Sequence, residues 1–140
     1  MSHIRYLLVI FFYLIFFSTK AEVNNFEKGK NLFDNKKYDL AKFKFEKDIV
    51  YNPKNENSYL YLSKIFKLKK DDNQEEKNLN TVILLNPKNE EAILNLALLK
   101  IRKSNYTETK ELIEDLKKIC KILCQEASDL EKKLDALLKK

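Results

Sequence analysis

Glycine and proline are scarce in this chain of 140 residues, which contains one glycine and two prolines. Sheet proteins need turn glycines and hairpin signals, and the sequence has neither. Lysine, glutamate and leucine are abundant instead, and all three are good helix formers. The composition therefore argues against a sheet fold and predicts an all-α protein.

Histidine and arginine are scarce as well. The one histidine is His3, and arginine occurs only at Arg5 and Arg102. Acid–base catalysis and metal binding usually use histidine, and nucleic-acid readers concentrate arginine. The formal charge of +6 comes mostly from lysines mixed with acids along the chain, which is typical of solvated helix faces. We therefore expect no enzyme activity, no cofactor, no metal and no nucleic-acid partner.

Residues 1–21 differ in composition from the rest of the chain. Arg5 precedes the apolar and aromatic run Tyr6–Phe17, which suits a signal peptide and falls short of the ~20 residues that cross a bilayer comfortably. Thr19 and Ala21 suit a cleavage site after Ala21. We interpret residues 1–21 as a signal peptide, with an uncleaved membrane anchor as the alternative. Both interpretations predict an exported protein of the periplasm or cell envelope, with membrane association through residues 4–17.

A repeat follows. Pro53 and Pro87 lie 34 residues apart, and both stand in the sequence Asn-Pro-Lys-Asn-Glu. Since proline cannot continue a helix, one helix should end near Tyr51 and another near Leu85. Between the prolines, two apolar stripes of helical spacing flank a polar stretch. The period predicts helix-turn-helix units that bury their stripes by stacking.

The repeat resembles the tetratricopeptide repeat (TPR) family. With each proline at unit position 32, the units begin at Glu22, Glu56 and Glu90. The family places a small residue at position 8, a tyrosine at 17, a small residue at 20 and a large apolar residue at 24. Matching residues are Gly29, Ser63, Ala97, Tyr38, Tyr106, Ala41, Phe45, Leu79 and Ile113. Departures are Lys28, Asp48, Glu75, Thr109 and Lys121, the last in place of a third proline.

The resemblance implies an α-solenoid of about three helix-turn-helix units, at residues 22–55, 56–89 and 90–121, followed by a capping helix at 122–140. In the last segment, leucines at helical spacing (Leu130, Leu134, Leu137 and Leu138) share a face with Ala127. We expect this face to pack on the last repeat. Coiled-coil dimerisation through the same stripe is the alternative.

Cys120 and Cys124 lie four residues apart, and no histidine accompanies them, so they do not form a zinc site. In a continuous helix their Cβ atoms would be about 5–6 Å apart, whereas a disulfide needs about 3.5–4.5 Å. A bridge therefore requires a break, and we predict a turn near Lys121. Buried thiols are the favoured interpretation, while a local disulfide and a redox role remain open.

In the TPR family, the first helix of each unit lines a concave groove that holds partners. The resemblance places twelve residues there: Phe26, Lys30, Phe33, Leu60, Tyr61, Lys64, Lys67, Leu94, Asn95, Leu98, Ile101 and Arg102. This apolar and aromatic floor with a few cations suits a peptide or partner helix that carries acidic groups. Phe26 replaces the first lysine of the family's carboxylate clamp, so binding of a terminal carboxylate is not expected. For Leu60, Leu94 and Leu98, packing between repeats is the alternative.

The sequence thus predicts an exported TPR-type adaptor that binds another protein in its groove. A membrane-anchored structural subunit that oligomerises through its C-terminal Leu-rich helix is the alternative.

Overall fold

The computed structural model describes residues 25–139, which form seven α-helices joined by short turns and contain no strand. The helices are α1 Asn25–Asp34, α2 Tyr38–Tyr51, α3 Glu56–Leu68, α4 Asp72–Leu85, α5 Glu90–Arg102, α6 Tyr106–Ile119 and α7 Cys124–Leu138. None of these helices is both long and apolar enough to span a bilayer. The predicted signal or anchor segment lies outside the described residues.

Consecutive helices pack against one another along the whole described chain. Pairs α1–α2, α3–α4 and α5–α6 make the most extensive contacts, and α2–α3, α4–α5 and α6–α7 join one pair to the next. Short connections favour this arrangement, since they make sequence neighbours antiparallel packing partners. The all-α class and the paired helix-turn-helix architecture are confirmed.

The two prolines end helices where the sequence predicts. Helix α2 ends at Tyr51 and α4 ends at Leu85, so both prolines lie in the turn that leads to the next helix. The two matching asparagines after the prolines act differently. The Asn89 side chain accepts a hydrogen bond from the Ala92 N–H and caps α5, whereas Asn55 donates to the Asp48 carboxylate.

Inside each unit, the turn between the two helices contains a non-glycine residue with positive φ. Lys36, Lys70 and Ser104 have φ values of 59°, 58° and 56°, and they recur at the 34-residue period. In each turn, the following N–H donates to the carbonyl five residues earlier. This is the Schellman arrangement that ends a helix, adopted here without the glycine that usually occupies it.

The only glycine is required by a close approach between α1 and α2. A Cβ atom on Gly29 would lie 2.7 Å from Cε1 of Phe45, and Phe45 is fully buried. Ser63 and Ala97, at the same unit position, are also buried. At Gly29 the small-residue position of the repeat is therefore a packing constraint, and at Ser63 and Ala97 it is buried.

Two departures from the family pattern are buried polar residues with hydrogen-bond partners. The Asp48 carboxylate accepts hydrogen bonds from Asn55 Nδ2 at 2.7 Å and Ser58 Oγ at 2.6 Å. These bonds connect α2 to the turn and first residues of α3. The Thr109 hydroxyl donates to the Asn105 carbonyl at 2.8 Å. Both groups are satisfied, which limits the cost of burying them.

The C-terminal helix packs as the predicted cap. Ala127, Leu130 and Leu134 are buried and share core clusters with residues of α5 and α6. Leu138, at the end of the stripe, is 57% exposed. Most of the surface that a coiled coil would need is thus already covered.

The favoured interpretation of Cys120 and Cys124 as buried thiols is wrong. Their sulfurs form a disulfide, with the Cα atoms 5.3 Å apart. The bond forms because α6 ends at Ile119 and α7 begins at Cys124, so the predicted break near Lys121 is present. Residue Lys121 stands where the earlier units have proline.

The side chain of Glu90, the first residue of α5, binds the segment between α6 and α7. Its carboxylate accepts the backbone N–H groups of Lys121, Ile122 and Leu123 at 2.8, 3.1 and 2.8 Å. These hydrogen bonds, led by that of Leu123, lower the pKa of Glu90, because they favour the charged carboxylate. At the end of the third unit, where the earlier units have a proline, the Cys120–Cys124 disulfide and the Glu90 carboxylate thus stabilise the break between helices.

Candidate functional site: the groove

The first helices of the three units, α1, α3 and α5, lie side by side, and we call their shared surface the groove. Between α1 and α3, the Phe26 and Phe33 rings contact the Tyr61 ring, with centroids 5.8 and 5.1 Å apart. Between α3 and α5, Lys64 Nζ lies 2.7 Å from the Glu91 carboxylate. The structure therefore brings predicted groove residues from different units together.

The aromatic part of the groove is rooted in the core of the first unit. Tyr61 stacks on Phe45 with centroids 5.0 Å apart, and Phe26 approaches the same ring at 5.9 Å. Phe33 also contacts Tyr38 at 5.4 Å. Phe26, Phe33 and Tyr61 are all half-buried, so part of each ring remains accessible on the floor of the groove. Sequence alone identified these rings but not their support by Phe45.

The groove cations differ in how far acids already compensate them. The Lys64 ammonium lies 4.8 Å from the Tyr61 ring centroid and is paired with Glu91. Lys67 Nζ donates to the neutral Asn95 side chain at 3.2 Å, and Lys30 is exposed. Lys30 and Lys67 are therefore the cations best placed to attract an acidic partner.

Arg102 stands at the end of α5 and is directed to α4. Its Nη2 donates to Glu75 Oε2 at 2.6 Å and to Asp72 Oδ1 at 3.2 Å. Glu75 is only 1% exposed, and its other oxygen, Oε1, has no hydrogen-bond partner within the described residues. Burial raises the pKa of Glu75, against the opposing effect of Arg102. Arg102 thus stabilises a buried carboxyl group at the edge of the groove.

The predicted aliphatic residues divide into two groups. Leu60 is 5% exposed and belongs to a core cluster with Leu79 and Leu96, which agrees with packing between repeats and leaves little surface for a partner. Leu94, Leu98 and Ile101 are half-buried and pack against a cluster that includes α7 residues. Only these three keep part of their surface accessible.

An open depression of about 660 Å³ lies beside α5, where the chain enters α7. Its walls are Lys88, Asn89, Glu90, Glu91, Leu94, Asn95, Ile122, Leu123 and Glu126. Ile122 is 84% exposed. Leu94 and Asn95 were predicted from sequence, whereas Ile122, Leu123 and Glu126 were not, because no repeat pattern extends into that segment.

The carboxylates and cysteines of the described region do not assemble a metal site. Among residues 25–139, no three metal-binding side chains of the His, Cys, Asp or Glu type converge.

Comparison with known proteins identifies solved structures that have a similar fold. No family model and no curated protein sequence matches the chain, but solved structures do. The chain is similar to the type III secretion translocator chaperone SycD of Yersinia enterocolitica, with a TM-score of 0.79 and 12% identity over 89% of this chain and 94% of SycD.

Two complexes are also similar. The first TPR of Spaghetti (RPAP3), bound to the HSP90 peptide SRMEEVD, matches with a TM-score of 0.73 and 20% identity over 83% of this chain and 91% of that one. SycD in complex with a peptide of the translocator YopD matches with a TM-score of 0.73 and 13% identity, covering 83% and 92%. At these identities the similarity concerns the fold, and the fold of this chain is that of TPR domains.

Proposed function

We propose that this protein is a non-catalytic scaffold that binds a peptide or helix of another protein in its groove. The observation that carries the proposal is the line of half-buried apolar side chains from three units, which ends at the depression beside Leu94 and Ile122. Peptide recognition needs such a preformed apolar surface with few polar groups. The similar folds of RPAP3 and SycD, each bound to a peptide in its complex, support this function.

The charged residues of the groove favour one orientation of the bound peptide. Lys30 and Lys67 favour acidic residues of the partner over α1 and α3. Glu126 lines the depression at the other end and favours a basic residue there, whereas Glu91 is already paired with Lys64. The depression itself suits one large apolar side chain, which Leu94 and Ile122 would contact.

We further propose that the protein acts outside the cytosol, with residues 1–21 as a signal peptide or anchor. The Cys120–Cys124 disulfide supports an oxidising compartment, because cytosolic thiols are kept reduced. Intact mass of the protein isolated from its source would decide between the two: cleavage after Ala21 predicts a chain that begins at Glu22.

A binding experiment tests the groove. Peptides would be selected on the immobilised protein from a random 12-residue library, and the affinity of the selected peptides would be measured by calorimetry. We expect the double variant Lys67→Glu, Asn95→Lys to weaken binding by about tenfold, or ~1.4 kcal/mol. Tyr61 is left unchanged because its ring supports the core.

The matched control is Lys77→Glu with Glu111→Lys, two exposed positions on α4 and α6, the second helices of their units. It should leave the affinity unchanged within about twofold, since surface changes away from a binding site have small effects. Equal loss in both variants, or none in the first, would place the peptide elsewhere.

A further inference from the structure

Helix α2 exposes four large apolar side chains on the side opposite its buried face. Leu40, Phe43, Val50 and Tyr51 are 57%, 59%, 75% and 55% exposed. At 3.6 residues per turn they fall within a sector of roughly 100°. We call these four residues the outer stripe. The buried face of the same helix carries Ala41, Phe45 and Asp48, so α2 is apolar on both sides.

The repeat supplies an internal control for Leu40 and Phe43, the first two residues of the outer stripe. The positions equivalent to Leu40 and Phe43 are Gln74 and Lys77 in the second unit, and Glu108 and Glu111 in the third. The backbone plan is the same in all three units, so the fold itself does not require apolar residues there. Leu40 and Phe43 therefore have no structural explanation within the described chain. Val50 and Tyr51 correspond instead to apolar residues of the second unit, Leu84, which is 81% exposed, and Leu85.

The charge around the outer stripe is positive. The Lys44 ammonium lies 5.6 Å from the Phe43 ring centroid, and exposed Lys47 lies between the two ends of the stripe. The acidic side chains of α2 add little negative charge to this surface. Asp39 pairs with Lys69 and Glu46 pairs with Lys42, while Asp48 is buried. Aromatic and aliphatic side chains bordered by lysines are typical of helices that lie on a membrane surface.

The position of α2 in the chain agrees with this composition. The apolar run Tyr6–Phe17 is followed by seven residues, 18–24, before α1 begins at Asn25. Seven residues span at most about 25 Å when fully extended. A run held in a membrane would thus keep the α1–α2 hairpin close to the lipid headgroups.

We propose that the outer stripe of α2 docks on an anionic lipid surface. Leu40, Phe43, Val50 and Tyr51 enter the headgroup region, and Lys44 and Lys47 contact lipid phosphates. Docking would leave the groove open, because the groove is formed by α1, α3 and α5. This inference depends on the anchor form of the proposed function, in which residues 1–21 stay in the chain, and is independent of the partner in the groove.

The chain contains no tryptophan, so a single reporter can test the proposal. Phe43→Trp in the full chain places the reporter in the stripe, and Glu111→Trp places it at the equivalent position of the third unit. Both chains would be mixed with phosphatidylglycerol vesicles containing brominated lipid. We expect the tryptophan at position 43 to shift to the blue and be quenched, and the one at position 111 to stay unchanged. Circular dichroism would verify that both variants keep their helices.

Charge dependence is tested in the Phe43→Trp chain. The additional changes Lys44→Glu and Lys47→Glu should remove most of the blue shift and quenching, since each lysine near an anionic surface favours binding. Phosphatidylcholine vesicles should give the same loss. Because the apolar run can anchor every variant, co-sedimentation alone does not measure docking.

Three results would overturn the proposal. The first is a vesicle-bound chain whose tryptophan at position 43 is neither shifted nor quenched. The second is equal quenching at positions 43 and 111. The third is a blue shift that grows with protein concentration without vesicles, which would show that a second copy of the chain covers the stripe.

Discussion

The first and third units have the same backbone plan but differ in chemistry at two outer positions of their second helices. Helix α2 is aromatic within, at Phe45, and apolar outside, at Leu40 and Phe43. Helix α6 has Ile113 inside and Glu108 and Glu111 at the equivalent outer positions. The inner positions vary together because volume must be conserved in a packed core. The outer positions are free of that constraint, so a difference there points to a separate role.

Volume compensation is visible at unit positions 8 and 24. The three pairs are Gly29 with Phe45, Ser63 with Leu79, and Ala97 with Ile113. The smallest residue at position 8 accompanies the largest at position 24. In the first unit the ring leaves no room for a Cβ atom on the facing glycine, which explains why the only glycine is found there.

The largest effect should come from the inner side of α2. Phe45→Ala removes a fully buried ring and should lower the free energy of unfolding by about 3–5 kcal/mol. Phe43→Ala, two residues away on the outer stripe, should change it by less than about 0.5 kcal/mol. Urea unfolding followed by circular dichroism measures both. A loss of several kcal/mol for Phe43→Ala would mean that the outer stripe packs within the fold.

The next effect concerns the end of the third unit, where a disulfide replaces the proline. Reduction of Cys120–Cys124 should lower the free energy of unfolding by about 2 kcal/mol, the loop-entropy value for so short a loop. Urea unfolding with and without dithiothreitol would show it. The variant Cys120→Ser, Cys124→Ser should not respond to the reductant. If the wild type also fails to respond, packing of α7 and the Glu90 hydrogen bonds hold the break without the disulfide.

A smaller, stabilising effect is expected at the positive-φ turns. Ser104→Gly should raise the free energy of unfolding by about 0.5–1 kcal/mol, because glycine adopts this conformation without the Cβ penalty. Lys36→Gly should do the same in the first unit. Ser104→Ala keeps the Cβ atom and serves as the control. Thermal unfolding checks all three, and destabilisation by both glycines would contradict the Schellman assignment.

The smallest expected effect on the free energy of unfolding concerns the second unit, which buries Glu75 where the first unit has Ala41. Burial raises the pKa of Glu75, so the folded state binds its proton more tightly than the unfolded state. Its contribution to stability is therefore present below the ordinary pKa of about 4.3 and is lost as pH rises through the raised value.

Comparison with Glu75→Gln, which does not titrate, isolates this contribution. The stability of the wild type relative to the variant should fall between about pH 4 and pH 7. Urea unfolding at both pH values gives the difference. A relative gain over this range would mean that the ion pair with Arg102 outweighs burial.

Much of the architecture was predictable from the sequence. The prolines located the ends of α2 and α4, and the leucine stripe predicted the cap. These features depend on local backbone chemistry and on helical period, which neighbouring residues determine. The groove residues on α1, α3 and α5 followed instead from the resemblance to TPR repeats, and their role in binding remains a prediction.

Other features could not be predicted because they depend on residues far apart in the chain. Glu90 contacts the segment before α7 because α5 and α6 pack together, and the disulfide forms only because that segment leaves the helix. Leu60 has the same periodicity as residues of the groove, but its packing against Leu79 and Leu96 places it in the core.

By itself, the sequence determined the helix-turn-helix repeat, because proline, small residues and apolar spacing act over one or two turns of helix. Tertiary structure alone decided which faces remain exposed, since the exposure of a side chain depends on helices that lie in other units. The outer stripe of α2 is an example. No sequence pattern distinguishes its four residues, and the structure shows that nothing in the described chain covers them.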